Sequence, residues 1–200
     1  MNDSNRYMHI ERILQEHGKK ASKVLEIGCG GAPYRGVFQN YIGSDLLSTS
    51  YSGKDKIDVF CDGQVLPFKS DSFDLVFMVA CFYQIPDSKR VLEECRRVLN
   101  EGGELLLFDY NYATTKKLKR LEGNGVNKNH VWSPLKLVSV VKQMGFNSCI
   151  VYDCFEDSAN PIKKICLKFK ILKYLLFFLK QILLLEGWNV VRGIKKAQCI

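Results

Sequence analysis

The stretch VLEIGCGGAP at residues 24–33 decides the fold of this chain. It begins as a short aliphatic run with one acid, typical of a buried β-strand, and passes directly into glycines. Glycine adopts backbone conformations that other residues avoid and lets the main chain approach a ligand closely. A strand that runs into a glycine turn therefore predicts a ligand site at its carboxyl end, although a tight turn alone would also use glycine.

Two phosphate-binding templates can be tested against this turn. A dinucleotide fingerprint that starts at Gly28 requires a glycine at position 33, where the chain has Pro33. A P-loop requires Gly-Lys followed by Ser or Thr, and that motif does not follow the turn. The sequence therefore disfavours a bound pyrophosphate.

Short apolar runs alternate with helix-like stretches on both sides of the turn. Helical spacing predicts a helix from Ser88 to Leu99 with Ser88 as its N-cap, and Ser133-Pro134 opens a second helix that Gly145 ends. Pro33 limits the helix after the glycine turn to residues 34–39. Strands are expected at residues 23–27, 41–45, 57–60, 73–78, 105–108, 149–152 and 188–191. This alternation predicts an α/β fold with a parallel sheet covered on both faces.

Acidic residues stand at or near the ends of the first three expected strands. Glu26 precedes the glycine turn, Asp45 lies 19 residues further on, and Asp62 follows the third strand. An acid at about this separation reaches ribose hydroxyls in nucleotide-binding folds. Three acids at one sheet edge suit a positively charged ligand with hydroxyl and amine donors, and S-adenosylmethionine has all of these groups.

Four sequence blocks in order resemble a known family. They are VLEIGCG at 24–30, IGSD at 42–45, LPFKSDSFDLV at 66–76 and RVLNEGGEL at 97–105. Over about residues 23–152 the chain resembles a class I S-adenosylmethionine-dependent methyltransferase of the methyltransferase type 11 family. The resemblance implies a Rossmann-like, doubly wound, seven-stranded sheet with strands 1–5 parallel and strand 7 antiparallel.

The resemblance also implies the cofactor site. The cofactor is S-adenosylmethionine, which becomes S-adenosylhomocysteine, and no metal is expected. The glycines line the methionine part of the cofactor, Asp45 binds the ribose hydroxyls, and Asp62 and Gly63 meet the adenine. The cofactor-binding residues so implied are Glu26, Gly28, Cys29, Gly30, Asp45, Leu46, Asp62, Gly63 and Ala80.

Residues for the methyl acceptor follow from their positions beyond the strands. His130 is the candidate general base, since a histidine titrates near neutral pH, and Asp109 is an alternative proton acceptor. Aromatic rings with a polar end suit a sugar or ring acceptor, although tyrosines at strand ends also seal cores. The candidate acceptor residues are Tyr34, Arg35, Tyr83 and Tyr110. The Pro-Tyr-Arg loop at 33–35 is similar to loops of methyltransferases that act on polysaccharide or envelope sugars.

The basic charge is confined to the end of the chain. Residues 1–160 carry 20 Lys and Arg against 20 Asp and Glu, whereas residues 161–200 carry nine basic residues against Glu186 alone. We expect one methyltransferase domain over residues 1–200, with an amphipathic helical insertion at 161–186 between strands 6 and 7. Its uncharged stretches are too short to span a membrane, so a helix in the membrane interface is expected. A lid over the domain or the arm of a homodimer is the alternative, and nucleic acid is disfavoured.

Cysteines and the chain start point to the compartment. None of the eight cysteines forms a C-x-x-C pair, and residues 1–6 contain no apolar stretch of a secretory signal. We expect a cytoplasmic protein, peripheral at the inner membrane face, that methylates a small-molecule or lipid-linked sugar acceptor. The alternatives are a soluble small-molecule methyltransferase and a non-catalytic membrane-associated protein that keeps the fold.

Overall fold

The structure is a computed structural model that describes residues 3–48, 53–110, 133–150 and 188–196. Seven strands form one sheet in the order β3-β2-β1-β4-β5-β7-β6. The strands are β1 Val24–Ile27, β2 Tyr41–Asp45, β3 Val59–Phe60, β4 Phe73–Val79, β5 Leu99–Tyr110, β6 Phe146–Ile150 and β7 Trp188–Lys195. The α-helices are α1 Asp3–Gly18, α2 Ser88–Val98 and α3 Pro134–Gln143.

Strand direction confirms the predicted topology. β1 pairs in parallel with both β2 and β4, β2 with β3, and β4 with β5. β7 lies between β5 and β6 and runs antiparallel to both. The strand order reverses at β1, which is the position where open α/β sheets bind ligands beyond their carboxyl ends.

Apolar side chains on both faces of the sheet explain why its central strands are buried. On one face, Val76 of β4 and Leu107 of β5 pack with residues of α2 and α3. On the other face, Phe77 and Phe108 pack with Ile10, Ile13 and Leu14 of α1. This double coverage is what a parallel sheet needs, and it leaves the strand ends as the place for a ligand.

The helix ends agree with the sequence prediction at α3 and differ at α2. Ser133 caps α3 by accepting the backbone N–H of Lys136 at 3.3 Å. The predicted N-cap Ser88 is wrong, because Asp87 accepts the backbone N–H groups of Lys89 and Arg90 at 3.1 and 3.0 Å. An aspartate in extended conformation one residue earlier satisfies two donors of the first turn.

Several element bounds also differ from expectation; β6 begins at Phe146 and β7 continues to Lys195. Beyond Pro33 the helix expected at 34–39 is only a 3-10 turn, Arg35–Val37, which ends where Phe38 adopts an extended conformation with φ of −128°. β3 is limited to Val59–Phe60. β5 is longer than expected and begins at Leu99, because it continues through Gly102-Gly103, where its pairing with β4 shifts register.

Two expectations lie outside the described residues: the helical insertion at 161–186 and the position of His130. Over the ranges that the structure does describe, every helix is too short or too polar to cross a membrane.

Candidate functional site

A cavity of about 770 Å³ opens at the carboxyl ends of β1, β2 and β4. Ligand pockets of proteins are about 300–1,000 Å³, so the cavity has the size for a nucleoside-bearing molecule. All nine residues expected at the cofactor line it. Its wall also includes Tyr7 of α1 and Gln84.

The glycine turn after β1 forms one side of the cavity. Gly28 has a φ of 73°, and a Cβ added there would lie 2.7 Å from the Cys81 side chain. The backbone N–H groups of Gly28 and Cys29 both donate to the carbonyl oxygen of Ser44, at 2.8 and 3.0 Å. Position 28 therefore requires glycine for its backbone conformation and for the close approach of Cys81.

Asp45, the last residue of β2, joins this turn to the second strand. Its Oδ2 accepts the backbone N–H of Gly30 at 2.7 Å, and its Oδ1 accepts the N–H of Leu46 at 2.7 Å. A carboxylate has about four acceptor positions, so both oxygens can accept further hydrogen bonds from ligand hydroxyls. The two backbone donors fix the orientation of the carboxylate at the cavity wall.

The loop after β3 supplies the third acid of the predicted set. Asp62 accepts the backbone N–H of Gln64 at 2.9 Å and the Gln64 amide at 3.0 Å, so its carboxylate shapes this loop. A Cβ at Gly63 would lie 2.9 Å from Cγ2 of Ile27, which is closer than real Cβ contacts. Glycine at position 63 lets this loop pack directly against the end of β1.

Glu26 is the most deeply buried acid of the set, with 1% of its side chain exposed, yet it contributes to the cavity wall. The hydroxyl of Tyr41 donates to its Oε2 at 2.5 Å. Burial raises the pKa of Glu26 to about 8, the Tyr41 hydrogen bond opposes this rise, and nearby Asp45 adds to it. The sequence did not predict the role of Tyr41. Its position as the first residue of the strand beside β1 could have indicated that its hydroxyl reaches Glu26.

The turn after β4 closes the cavity on its other side. Ala80 has a φ of 54°, and its backbone N–H donates to the carbonyl of Phe108 at 2.8 Å. The Cys81 thiol donates to the carbonyl oxygen of Ile27 at 3.1 Å, and burial raises its pKa well above the usual value. The turn thus connects β4 to both neighbouring strands.

The four candidate acceptor residues divide into two pairs. Tyr34 and Tyr110 line the cavity, whereas Tyr83 and Arg35 do not. Tyr83 packs edge-on against Tyr110 with 5.4 Å between ring centroids. The Arg35 guanidinium binds Asp58 and the carbonyl of Lys56, each at 2.6 Å, and lies over the Tyr41 ring. Arg35 therefore stabilises the structure around β2 and does not line the cavity.

Asp109 lies at the end of β5 with 0% of its side chain exposed and stands behind the cavity wall. Its Oδ1 accepts the backbone N–H of Tyr110 at 2.9 Å. Burial raises the pKa of Asp109 to about 8. The other candidate base, His130, lies outside the described residues, so the structure brings only Asp109 near the candidate acceptor tyrosines.

The residues present fit S-adenosylmethionine by the chemistry of their donors and acceptors. Asp45 offers oriented carboxylate oxygens for ribose hydroxyls, and Glu26 offers a carboxyl for a positively charged group. The glycine turn lines the cavity with residues 28–31, three of which are glycines. The mostly parallel sheet, the reversal of strand order at β1 and the acid Asp45 at the end of β2 are together typical of a nucleoside-binding α/β protein.

Comparison with known sequences finds a similarity to one family. Residues 25–107, which are 83 of the 200 residues, match the family described as Methyltransferase domain. This match agrees with the class I S-adenosylmethionine-dependent methyltransferases that the four sequence blocks resemble. The matched residues include both the glycine turn and the turn after β4.

Three similar proteins illustrate the breadth of this family. An uncharacterized protein of Methanocaldococcus jannaschii, MJ1252, is 30% identical over 62% of this chain and 51% of its own length. Cycloartenol-C-24-methyltransferase of Arabidopsis thaliana is 28% identical over 74% of this chain and 51% of its own length. A solved structure with a similar fold is Haemonchus contortus phosphoethanolamine N-methyltransferase 2 in complex with S-adenosyl-L-methionine. It superposes with a TM-score of 0.62 and 18% identity, and the superposition covers 95% of this chain and 52% of that one. The chain thus spans about half the length of these curated relatives.

Proposed function

We propose that the protein is an S-adenosylmethionine-dependent methyltransferase with one catalytic domain over residues 1–200. The observation that carries this proposal is the Asp45 carboxylate, held by the Gly30 and Leu46 N–H groups at 2.7 Å beside the glycine turn. This places an oriented acid and an open backbone turn at the switch point of the sheet, where the family binds its cofactor.

In this proposal the cofactor residues divide by the part of the ligand they meet. Gly28, Cys29 and Gly30 hold the methionine part, with Glu26 beneath it, and Asp45 accepts the ribose hydroxyls. Adenine lies against the loop after β3 and the residue after β2, where Leu46 is 49% exposed at the cavity. The remaining contacts come from Asp62, Gly63 and Ala80.

Methyl transfer needs little chemistry from the protein. The bound cofactor supplies an already activated methyl group on a sulfonium. The chain therefore has to align the acceptor atom with that methyl group and to keep water out. An oxygen or nitrogen acceptor also gains from a base that titrates near neutral pH.

On the acceptor side, we propose that Tyr34 and Tyr110 contact the acceptor and that Tyr83 supports Tyr110 through their edge-on packing. Burial raises the pKa of Asp109 to about 8, close to neutral pH, which suits a group that accepts a proton. His130 is the second candidate base. Arg35 is not proposed to contact the acceptor, because its guanidinium packs over the ring of Tyr41.

We propose a small-molecule or lipid-linked acceptor met at a membrane surface through the insertion at 161–186. The support is the sequence of the insertion, in which lysines at 163, 164, 168, 170, 173 and 180 accompany a wide apolar face. Such a helix inserts apolar side chains and leaves its lysines at anionic head groups. A relative named for cycloartenol, a lipid, accords with an amphiphilic acceptor.

Calorimetry tests the enzyme proposal. Wild-type protein titrated with S-adenosylmethionine should bind one equivalent, and an Asp45→Asn variant with the same thermal unfolding temperature should bind it more weakly. A folded wild-type protein that binds neither S-adenosylmethionine nor S-adenosylhomocysteine contradicts the proposal.

Flotation with liposomes tests the membrane proposal separately. The full chain should float with vesicles that contain phosphatidylserine and less with neutral phosphatidylcholine vesicles. A variant with the six lysines of the insertion changed to Gln is the matched control, because it keeps the apolar face. Flotation of neither protein contradicts membrane binding, and equal flotation of both contradicts a role for the six lysines in it. Sedimentation of the full chain as a dimer favours the dimer arm instead.

A further inference from the structure

Glu26 and Tyr41 form a buried pair that the proposed chemistry does not yet use. The Tyr41 hydroxyl donates to Glu26 Oε2 at 2.5 Å, and the Glu26 carboxyl lies 1% exposed in the wall of the cavity. Among the described residues, no Lys, Arg or His forms an ion pair with Glu26. Within the described ranges, the carboxyl thus has one neutral donor and no cation in an ion pair with it.

A chain of contacts holds Tyr41 in place. Arg35 lies over the Tyr41 ring, 4.9 Å from its centroid, and binds Asp58 at 2.6 Å. Asp58 in turn accepts the backbone N–H of Gly43 at 2.8 Å, within the same strand as Tyr41. Tyr41 is therefore fixed by a surface ion pair on one side and by its own strand on the other, and its hydroxyl cannot leave Glu26 without breaking this packing.

The charged and titratable groups around Glu26 do not neutralise a carboxylate. Of the described residues that act on Glu26, only Arg35 is positive, and it binds Asp58 at the surface, where 40% of the Arg35 side chain is exposed. Asp45 is negative and disfavours a second negative charge in the cavity. The groups that face Glu26 from the neighbouring elements are Tyr41, Asp45, Arg35, Cys29 and Cys81.

A buried acid without a cation keeps its proton, since burial disfavours the charged form. Burial accordingly raises the pKa of Glu26 to about 8. A positive group placed against the carboxyl reverses this preference, because an opposite charge within about 4–6 Å favours the ionised form. The Tyr41 hydroxyl then stabilises the new carboxylate with a charge-assisted hydrogen bond.

We infer that the Tyr41–Glu26 pair makes cofactor binding proton-coupled: the positively charged methionine end binds as Glu26 releases its proton to solvent. The inference rests on the proposed function. The step is balanced: the Glu26 O–H bond breaks, its electron pair stays on the carboxylate, and the proton goes to water or buffer. Tyr41 acts as a positioning residue, since it touches Glu26 and holds its carboxyl in the orientation that meets the ligand.

Calorimetry between pH 5.5 and 7.5 tests this coupling with S-adenosylmethionine as the probe. Affinity of the wild type should rise up to about tenfold per pH unit, because each pH unit below the pKa of a single linked group changes binding tenfold. Titrations in two buffers with different ionisation enthalpies should show release of up to one proton. Adenosine, which lacks the ammonium and sulfonium groups, should bind with no pH dependence and no proton release.

Two variants separate Glu26 from other titrating groups. Glu26→Gln should bind S-adenosylmethionine without the pH dependence. The amino group of the ligand titrates equally in both experiments, so the difference between the two proteins isolates the proton of Glu26. Tyr41→Phe removes the hydroxyl but keeps the ring, so Glu26 should hold its proton more strongly and affinity at pH 7 should fall about tenfold. Unchanged thermal unfolding at pH 6 shows that each variant is folded.

The outcomes distinguish this inference from the proposed function. Wild-type protein that binds S-adenosylmethionine equally well from pH 5.5 to 7.5, or a Glu26→Gln variant that keeps the wild-type slope, overturns the inference alone. Absence of binding by folded wild-type protein at every pH overturns the proposed function and the inference with it.

Discussion

The two ends of the cavity are built in different ways. At the ends of β1, β2 and β3, main-chain N–H groups, glycines and carboxylates lie close together, as at Gly30 and Asp45, 2.7 Å apart. At the ends of β4 and β5 the wall carries the ring of Tyr110, which packs on Tyr83 with 5.4 Å between ring centroids; we call this the aromatic end. Each end also holds one fully buried acid, Glu26 and Asp109, whose pKa burial raises to about 8.

This difference indicates which kind of ligand each end of the cavity is suited to bind. Backbone donors and glycine conformations cannot vary without changing the fold, so the first end is suited to one constant ligand. Side chains at the ends of β4 and β5, such as Tyr110, can vary without disturbing the sheet, so the second end is suited to a ligand that differs between relatives. Four predictions test the contrast.

The largest effect is expected at Gly28. Gly28→Ala should lower the free energy of unfolding by about 2–4 kcal/mol, because a positive φ and contact with the Cys81 side chain both oppose a Cβ there. Gly36→Ala is the matched control, since a Cβ at Gly36 meets nothing within 4 Å and should change stability by less than about 0.5 kcal/mol. Urea unfolding measures both. Equal stability of the two variants would show that the glycine turn does not impose this geometry.

The next effect is expected at Asp45. Asp45→Ala should weaken S-adenosylmethionine binding about 100-fold, or about 3 kcal/mol, since a charged hydrogen-bond acceptor and the anchor of Gly30 are both lost. Asp45→Asn keeps an acceptor without the charge and should weaken binding less. Calorimetry measures both dissociation constants, and an Asp45→Ala variant that binds as tightly as the wild type would remove Asp45 from the site.

A smaller effect concerns stability of the ligand-free protein as a function of pH. The folded-state pKa of Glu26 is raised to about 8, so the folded protein keeps a proton that the unfolded chain loses near pH 4.5. The contribution of Glu26 to stability is therefore present at low pH and is lost as the pH rises toward 8. From pH 6 to pH 8 the wild type should lose about 1–3 kcal/mol more stability than Glu26→Gln. Thermal unfolding at both pH values measures this, and parallel curves for the two proteins would argue against a protonated Glu26.

The smallest effect is expected for cofactor binding at the aromatic end. Tyr110→Ala should change the dissociation constant of S-adenosylmethionine by less than about threefold, because the oriented carboxylate of Asp45 lies at the other end of the cavity. The same calorimetric titration measures it beside Asp45→Ala. A loss as large as that of Asp45→Ala would mean that the two ends do not serve different ligands.

Local sequence predicted the first end of the cavity because its parts are short motifs with strict backbone requirements. The glycine turn and Asp45 carry chemistry that follows from their residue type and strand-end position, and the family resemblance adds Gly63. The N-cap Asp87 was missed in favour of Ser88, since both residue types cap helices and only the backbone geometry distinguishes them.

The remaining features depend on packing between distant segments. Tyr41 meets Glu26 only because β2 lies beside β1, and Arg35 turns to Asp58, 23 residues further along the chain, instead of entering the cavity. The position of Arg35 in the sequence predicted a contact with the methyl acceptor. In the folded chain its guanidinium binds the nearby carboxylate of Asp58 instead. Expectations for His130 and residues 161–186 stay predictions, as both lie outside the described residues.

A crystal structure of the full chain with S-adenosylhomocysteine tests the central claim most directly. The account predicts electron density in the cavity with the ribose hydroxyls within hydrogen-bond distance of the Asp45 carboxylate and the methionine part over Gly28 and Gly30. Ligand density elsewhere on the molecule, with Asp45 contacting only Gly30 and Leu46, would contradict it.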